Sequence, residues 1–131
     1  MKINIEISCG ELIDKLSILT IKTKNIKDEG KLRIINDELQ ELQKVGKKLK
    51  NKNLEKYNHY LDSLIKVNSD LWRIEDEIRK FEKKGVFNED FIYLARSVYI
   101  QNDKRFEIKN EINEFFNSNF KEQKEYEDYK N

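Results

Sequence analysis

Apolar side chains recur every three or four positions between residues 32 and 49, and this spacing restricts the fold more than any other feature. The repeat consists of Leu32, Ile35, Leu39, Leu42, Val45 and Leu49. Three-and-four spacing places apolar residues on one face of an α-helix. The chain contains no proline and only four glycines, so little in it would interrupt a helix. We therefore predict an all-α fold, an antiparallel four-helix bundle with a short N-terminal extended segment.

Capping and turn signals set the expected helix boundaries. Ser8 and Glu11 form a capping-box pattern, so the first helix should begin at Ser8 and run to about Asp28, with Gly30 ending it. The second helix should start near Lys31. The break at residues 50–53 lacks proline and glycine, so it is either tight or continuous.

The remaining segments follow from the same signals. The third helix should cover residues 54–84, and Asn88 should cap a fourth that ends near residue 117. Residues 1–8 alternate polar and apolar side chains, which predicts an extended segment that pairs with a partner chain or lies on the helices. Residues 118–131 form a charged tail. A chain of 131 residues predicts a single domain, 1–131.

Composition excludes several kinds of function. The chain has 26 Lys and Arg against 25 Asp and Glu, a balance that argues against the basic face of a nucleic-acid-binding protein. Cys9 and His59 are the only residues of their types, so neither a disulfide nor a zinc site with N and S ligands is expected. No apolar run reaches the roughly 20 residues of a membrane span, and the N-terminus is too polar for a signal peptide. We expect a cytoplasmic protein.

The third and fourth helices carry polar residues at positions where the second helix is apolar. In the third helix the predicted seam reads Leu54, Tyr57, Leu61, Leu64, Asn68, Leu71, Glu75 and Ile78. Helical spacing then places one polar face on Asn68, Trp72, Glu75, Asp76 and Arg79. In the fourth helix the corresponding stripe consists of Arg96, Tyr99, Asn102, Arg105 and Lys109. If the two helices are antiparallel, Asn68 lies level with Arg105, and the carboxylates face arginines and amides.

The first helix contributes a further set of charged residues. Lys22 should lie near the level of Asn68 in a simple bundle. Glu11, Asp14 and Lys15 would then form a second cluster nearer the opposite end, roughly 15–20 Å away at 1.5 Å per residue.

Buried charges must be paired, solvated or bound to a ligand, so the polar stripe has two main interpretations. It is either a salt-bridge network that fixes helix register or a pocket between helices. As a pocket, Arg96, Arg105, Lys109 and Lys22 could clamp a phosphate or carboxylate while Trp72 or Tyr99 stacks on a ring. Glu75 and Asp76 could instead hold Mg²⁺. We favour the anion clamp, because cations outnumber carboxylates in the predicted pocket, and we expect no resident cofactor.

Three blocks of the chain resemble an uncharacterised bacterial domain family. They are GELIDKLSILTIK, NSDLWRIEDEIR and FIYLARSVYIQNDKRFEIKNEIN, at residues 10–22, 68–79 and 91–113. Members of that family carry GEL-x-DK, N-x-x-LW-x-x-ED-x-x-R and LAR-x-VY-x-x-ND-x-R patterns. The resemblance implies a genomic setting beside glycosyltransferases for lipopolysaccharide or other surface glycans. The positions that match the patterns are Gly10, Glu11, Asp14, Lys15, Asn68, Trp72, Glu75, Asp76, Arg79, Arg96, Tyr99, Asn102 and Arg105.

Three functions follow from these observations. The first is a small accessory protein of surface-glycan assembly that binds an anionic ligand, such as a sugar nucleotide or sugar phosphate. The second is a helical enzyme, either a nucleotide pyrophosphohydrolase or a chorismate-mutase-like isomerase. The third is a structural adaptor that forms a homodimer through the N-terminal segment or the long helices. We favour the first.

Overall fold

The computed structural model describes residues 1–130, and all of its regular secondary structure is helical. The four helices are α1 (Cys9–Asn25), α2 (Glu29–Lys52), α3 (Leu54–Lys84) and α4 (Glu89–Phe115). They pack against one another as a four-helix bundle, with α3 against α4 and α1 against the other three. The all-α prediction is therefore confirmed. Residues 1–7 precede the bundle and Asn131, the last residue of the predicted tail, lies outside the described residues.

The connection between α1 and α2 differs from the sequence prediction. Helix α1 ends at Asn25, and Asp28 caps α2 by accepting a hydrogen bond from the Lys31 amide at 3.2 Å. Gly30 is thus inside α2 rather than a helix terminator. An aspartate that can satisfy a free amide is a strong start signal, and it outweighs the glycine two residues later.

A single residue joins α2 to α3. The Asn53 amide donates to the Leu49 carbonyl at 3.1 Å, which ends α2. The Asn53 side-chain oxygen accepts from the Lys56 amide at 2.9 Å, which begins α3. The break that the sequence left open is therefore as tight as a helix–helix connection can be.

The core lies where α1, α3 and the end of α4 meet. Its buried members include Ile13, Leu16, Leu64 and Ile112. Three predicted seam positions are exposed, namely Val45, Leu54 and Glu75. Beside two of them the neighbouring residue is buried instead, Gly46 next to Val45 and Ile74 next to Glu75. These departures are local, because Leu49 of α2 and Leu64 and Leu71 of α3 are buried as the pattern predicted.

The tail neither continues α4 nor extends away from the protein. Asn117 adopts a left-handed backbone conformation (φ 54°), and the chain then runs without regular structure through residue 130. Its side chains contact α4 at Asp103. Within residues 1–130, no helix combines the length and the apolar character needed to cross a bilayer.

Candidate functional site

The centre of the polar network is the buried carboxylate of Asp14 on α1. Only 2% of its side chain is exposed. Arg105 on α4 donates from Nε to Oδ1 at 2.9 Å and from Nη2 to Oδ2, a two-point ion pair. Asn68 on α3 donates from Nδ2 to Oδ1 at 2.9 Å. Three helices therefore meet at one carboxylate, which is stabilised by charge-assisted hydrogen bonds.

Ser17 fixes the orientation of the Asn68 amide. Its hydroxyl donates to the Asp14 carbonyl at 2.6 Å and accepts from Asn68 Nδ2 at 2.8 Å. Both hydrogens of the Asn68 amide are thus used, one on Asp14 and one on Ser17. The network is a register lock between α1, α3 and α4, which is the first of the two interpretations that the sequence allowed.

The predicted 15–20 Å separation between Asp14 and Asn68 is wrong. The two side chains are hydrogen-bonded, so α1 is shifted along its axis relative to the simple bundle that we assumed. Asp14, not Lys22, lies level with Asn68, a shift of about 12 Å at 1.5 Å per residue. Asn68 of α3 and Arg105 of α4 lie at the same height in the bundle, as expected, because both contact the same oxygen of Asp14.

Arg105 retains donors for a further partner. Its side chain is 28% exposed, and Nη1 makes no hydrogen bond to any residue between 1 and 130. Hydrogen bonding to Asp14 raises the pKa of Arg105 despite the opposing effect of burial, so the guanidinium stays charged. One edge of this group is therefore immobilised, and the other is free to bind.

Beside the lock lies an open cavity of about 510 Å³ between α1, α3 and α4, which we call the Trp72 groove. Its lining residues are Ile18, Ile21, Asn68, Leu71, Trp72, Glu75, Asp76, Arg79, Asn102 and Arg105. Seven of them belong to the predicted polar stripe. The aliphatic residues form an apolar portion of the wall, and Trp72 is 37% exposed. The combination of an aromatic face, aliphatic wall and few polar groups is typical of small-molecule sites.

The charges of this groove are balanced. Glu75 and Asp76 line it together with Arg79 and Arg105. Glu75 lies 3.5 Å from Arg79, and Asp76 lies 3.3 Å from Lys80. Our expectation that cations outnumber carboxylates is therefore wrong for the Trp72 groove. Helical spacing predicted Arg96 and Lys22 as further cations of the pocket, but neither residue lines the Trp72 groove.

A second cavity, of about 1040 Å³, lies between α4 and the tail and is called the tail cavity here. Glu11, Tyr99, Asn102, Arg105 and Lys109 line it together with residues 122–127 and Tyr129. Arg105 and Asn102 line both cavities. Lys109, 9% exposed, lies 2.9 Å from Glu11 and 2.8 Å from Glu122. Burial disfavours its charge, but hydrogen bonds to Glu122 and Glu11 outweigh that effect and raise the pKa of Lys109.

The far end of the tail is held by Asp103. Its carboxylate accepts from Lys124 Nζ at 2.7 Å and from the Tyr129 hydroxyl at 2.8 Å. These two hydrogen bonds lower the pKa of Asp103, and the bond to Asp103 raises the pKa of Tyr129 to about 12. The Tyr129 ring also packs edge-on against Tyr99, with centroids 5.0 Å apart. We call this set of contacts the tail clasp.

Side chains satisfy the amides at the start of α1. The Cys9 amide donates to Ser118 Oγ at 3.0 Å, the Gly10 amide to Asn113 Oδ1 at 2.7 Å, and the Glu11 amide to Ser8 Oγ at 3.1 Å. This helix start is therefore not free to bind an anion. Gly10 is required for the arrangement, because a Cβ there would lie 2.6 Å from the Lys109 carbonyl oxygen.

The remaining predicted site residue, Lys15, lies apart from both cavities and pairs with Glu38 of α2 at 3.1 Å. Sequence reasoning missed Ser17 and Asp103. Ser17 lies three residues after Asp14, but only the observed rotation of α1 shows that it reaches Asn68. Within residues 1–130 no three His, Cys, Asp or Glu side chains converge as they would around a metal ion.

One comparison with known proteins finds a match. A protein-family model described as a family of unknown function, DUF6165, matches residues 1–130. No curated protein and no solved structure gives a significant match.

Proposed function

Because the chain belongs to DUF6165, a family of unknown function, we propose its role from the groove itself: it binds a phosphorylated sugar, such as a sugar phosphate or sugar nucleotide, in the Trp72 groove. The observation that carries this proposal is the placement of Trp72 and Arg105 on one groove, with the arginine locked on its other edge by Asp14. An arginine that is already immobilised loses little further freedom on binding.

Each part of such a ligand has a matching group. The exposed face of Trp72 can stack on a sugar or base ring, and the aliphatic wall can accept its apolar edge. Glu75, Asp76 and Asn102 can bond hydroxyl groups. Arg79 and the free donors of Arg105 can bind phosphate oxygens. Balanced charge favours a ligand that carries many hydroxyls and few phosphates over a polyanion.

The setting implied by the family resemblance agrees with this ligand class. Surface-glycan assembly uses phosphorylated sugars on the cytoplasmic side of the membrane, where we place the protein. We propose a binding or accessory role rather than catalysis, because the carboxylates of the groove are paired with cations at short range. The exposed isoleucines of the N-terminal segment support a homodimeric arrangement.

The proposal can be tested with the intrinsic fluorescence of Trp72, which is the only tryptophan in the chain. We expect saturable changes in emission with glucose 1-phosphate or UDP-glucose, and weaker ones with glucose or inorganic phosphate alone. Arg79→Ala should weaken binding about tenfold, as expected for the loss of one charge-assisted hydrogen bond. Arg79 is exposed, so the fold should be unaffected.

Arg73→Ala is the matched control. Arg73 is also exposed on α3, but it does not line the Trp72 groove. An equal loss of affinity in both variants, or no response of fluorescence and melting temperature to any phosphorylated sugar at millimolar concentration, would rule out this function.

A further inference from the structure

The N-terminal segment, residues 2–7, has no regular secondary structure, and its sequence alternates polar residues with isoleucines. Ile3 and Ile5 are 75% and 77% exposed, and Ile7 is 37% exposed. No backbone hydrogen bond joins residues 1–7 to the rest of the chain through residue 130. Alternating isoleucines with unused backbone donors and acceptors are what another strand pairs with.

The segment is nevertheless held at its base. Ser8 accepts from the Glu11 amide at 3.1 Å, and Glu6 accepts from Asn119 Nδ2 at 3.0 Å. These contacts fix where the strand leaves the bundle, but they leave both of its edges open. A strand presented in this way loses less entropy on pairing than a free tail would.

The order of side chains shows which partner fits. In an antiparallel pair centred on Asn4, Lys2 lies opposite Glu6, and Ile3 lies opposite Ile5. Two such strands related by a twofold axis make both ion pairs and both isoleucine pairs. A parallel in-register pair would instead place Lys2 against Lys2 and Glu6 against Glu6. Neither Lys2 nor Glu6 has a salt-bridge partner among residues 1–130. Glu6 uses Oε1 for Asn119, so its Oε2 and the Lys2 ammonium group are available for a cross-strand ion pair.

We propose that the N-terminal segment of one chain pairs with the same segment of a second copy, as an antiparallel two-stranded ribbon centred on Asn4. Cross-strand pairs of opposite charge and of branched apolar residues stabilise such ribbons. A two-stranded ribbon is marginal by itself, so we expect a dimer that dissociates on dilution.

Charge exchange in the exposed strand tests this arrangement without disturbing the helices. We expect sedimentation equilibrium to detect a dimer of the full chain, made with no N-terminal tag. Lys2→Glu or Glu6→Lys should each raise the dissociation constant about tenfold, because an attractive cross-strand pair becomes repulsive at two symmetric places. The double variant Lys2→Glu/Glu6→Lys should restore it. An equimolar mixture of the two single variants should also dimerise, since every pair is then opposite in charge.

Lys27→Glu serves as the charge control, because Lys27 is exposed between α1 and α2. A chain that stays monomeric at millimolar concentration would overturn the proposal. So would a dimer that neither single variant weakens, or one that the double variant and the mixture fail to restore; these results would indicate a different interface or a strand from another protein.

Disulfide trapping gives a second, independent reading of the register. In a Cys9→Ala background, Asn4→Cys should form a dimer rapidly under mild oxidation, because residue 4 lies opposite itself and cross-strand Cβ atoms approach to about 4.5–5.5 Å. Ile3→Cys is the matched control, since it faces Ile5 of the other strand. Equal cross-linking of the two variants would contradict the proposed register.

Discussion

At the scale of single residues, the Asp14–Arg105 pair dominates the energetics of the polar network. The Asp14 carboxylate is almost fully buried, and its charge is compensated by Arg105. Arg105→Ala should therefore lower the free energy of unfolding by about 3–5 kcal/mol, the usual cost of leaving one member of a buried pair alone. Urea unfolding followed by circular dichroism measures this change.

A double replacement by apolar residues separates the cost of an orphaned charge from any net benefit of the pair. Asp14→Leu/Arg105→Met should be much closer to the wild type than Arg105→Ala, because no charge is left buried. If the free energy of unfolding of Arg105→Ala lies within about 0.5 kcal/mol of the wild-type value, the Asp14 carboxylate must have found another partner or water. The register lock would then not be structural.

Gly10 is a second position where one atom decides stability. In Gly10→Ala the new Cβ would lie 2.6 Å from the Lys109 carbonyl oxygen, which is backbone and cannot easily move. We expect a loss of about 1–3 kcal/mol, typical of overpacking. Gly30→Ala is the control, because its nearest neighbouring atom is 3.8 Å away, and it should stabilise α2 by about 0.4–1 kcal/mol. The melting temperature should fall in Gly10→Ala and rise in Gly30→Ala. Equal shifts of the melting temperature in the two variants would contradict the close approach of α1 to α4.

At the scale of elements, the far end of the tail depends on Asp103 for its attachment. Asp103→Asn removes the charge that holds Lys124 and Tyr129, so the residues after 119 should become more accessible to trypsin. The melting temperature should change little, because these contacts lie at the surface. Mass spectrometry of the early fragments would show cleavage at Lys121 and Lys124. Asp62→Asn, an equal charge change at an exposed position of α3, should leave the tail protected.

The same contacts make the tail clasp dependent on pH. The pKa of Asp103 is lowered in the folded chain, so its contribution is complete above its ordinary pKa of about 3.9 and is lost as the pH falls through the lowered value. The pKa of Tyr129 is raised to about 12, so its contribution is complete below about pH 10 and is lost as the pH rises toward 12. Between about pH 4 and pH 10 we therefore expect the tail to stay equally protected from trypsin. A change in its protection near pH 7 would point to other groups.

The elements themselves were largely predictable from the sequence. Capping residues such as Ser8 and Asn88 placed helix starts correctly, because each cap is a local hydrogen bond between side chain and backbone. The burial of single seam positions and the relative shift of the helices were not predictable in the same way. Ile74 is buried instead of Glu75, and Asp14 is level with Asn68 instead of Lys22, because both depend on packing between distant segments.

At the scale of the whole molecule, residues from the polar stripes serve two purposes that spacing alone could not separate. Asn68 and Arg105 contribute to the register lock, and they also line the Trp72 groove. Asp76 and Arg79 remain largely exposed, and about a third of Trp72 is accessible. The polar surface could therefore be predicted from the sequence. Which of its residues join the register lock and which remain accessible depends on the relative positions of three helices.

The one-residue connection at Asn53 has a consequence for how the molecule can move. The same asparagine closes α2 through its backbone amide and opens α3 through its side-chain oxygen. A change in the angle between them must be absorbed by the two backbone dihedrals of one residue. The 24 residues of α2 and the 31 of α3 can therefore reorient relative to each other only about Asn53, the single pivot between them.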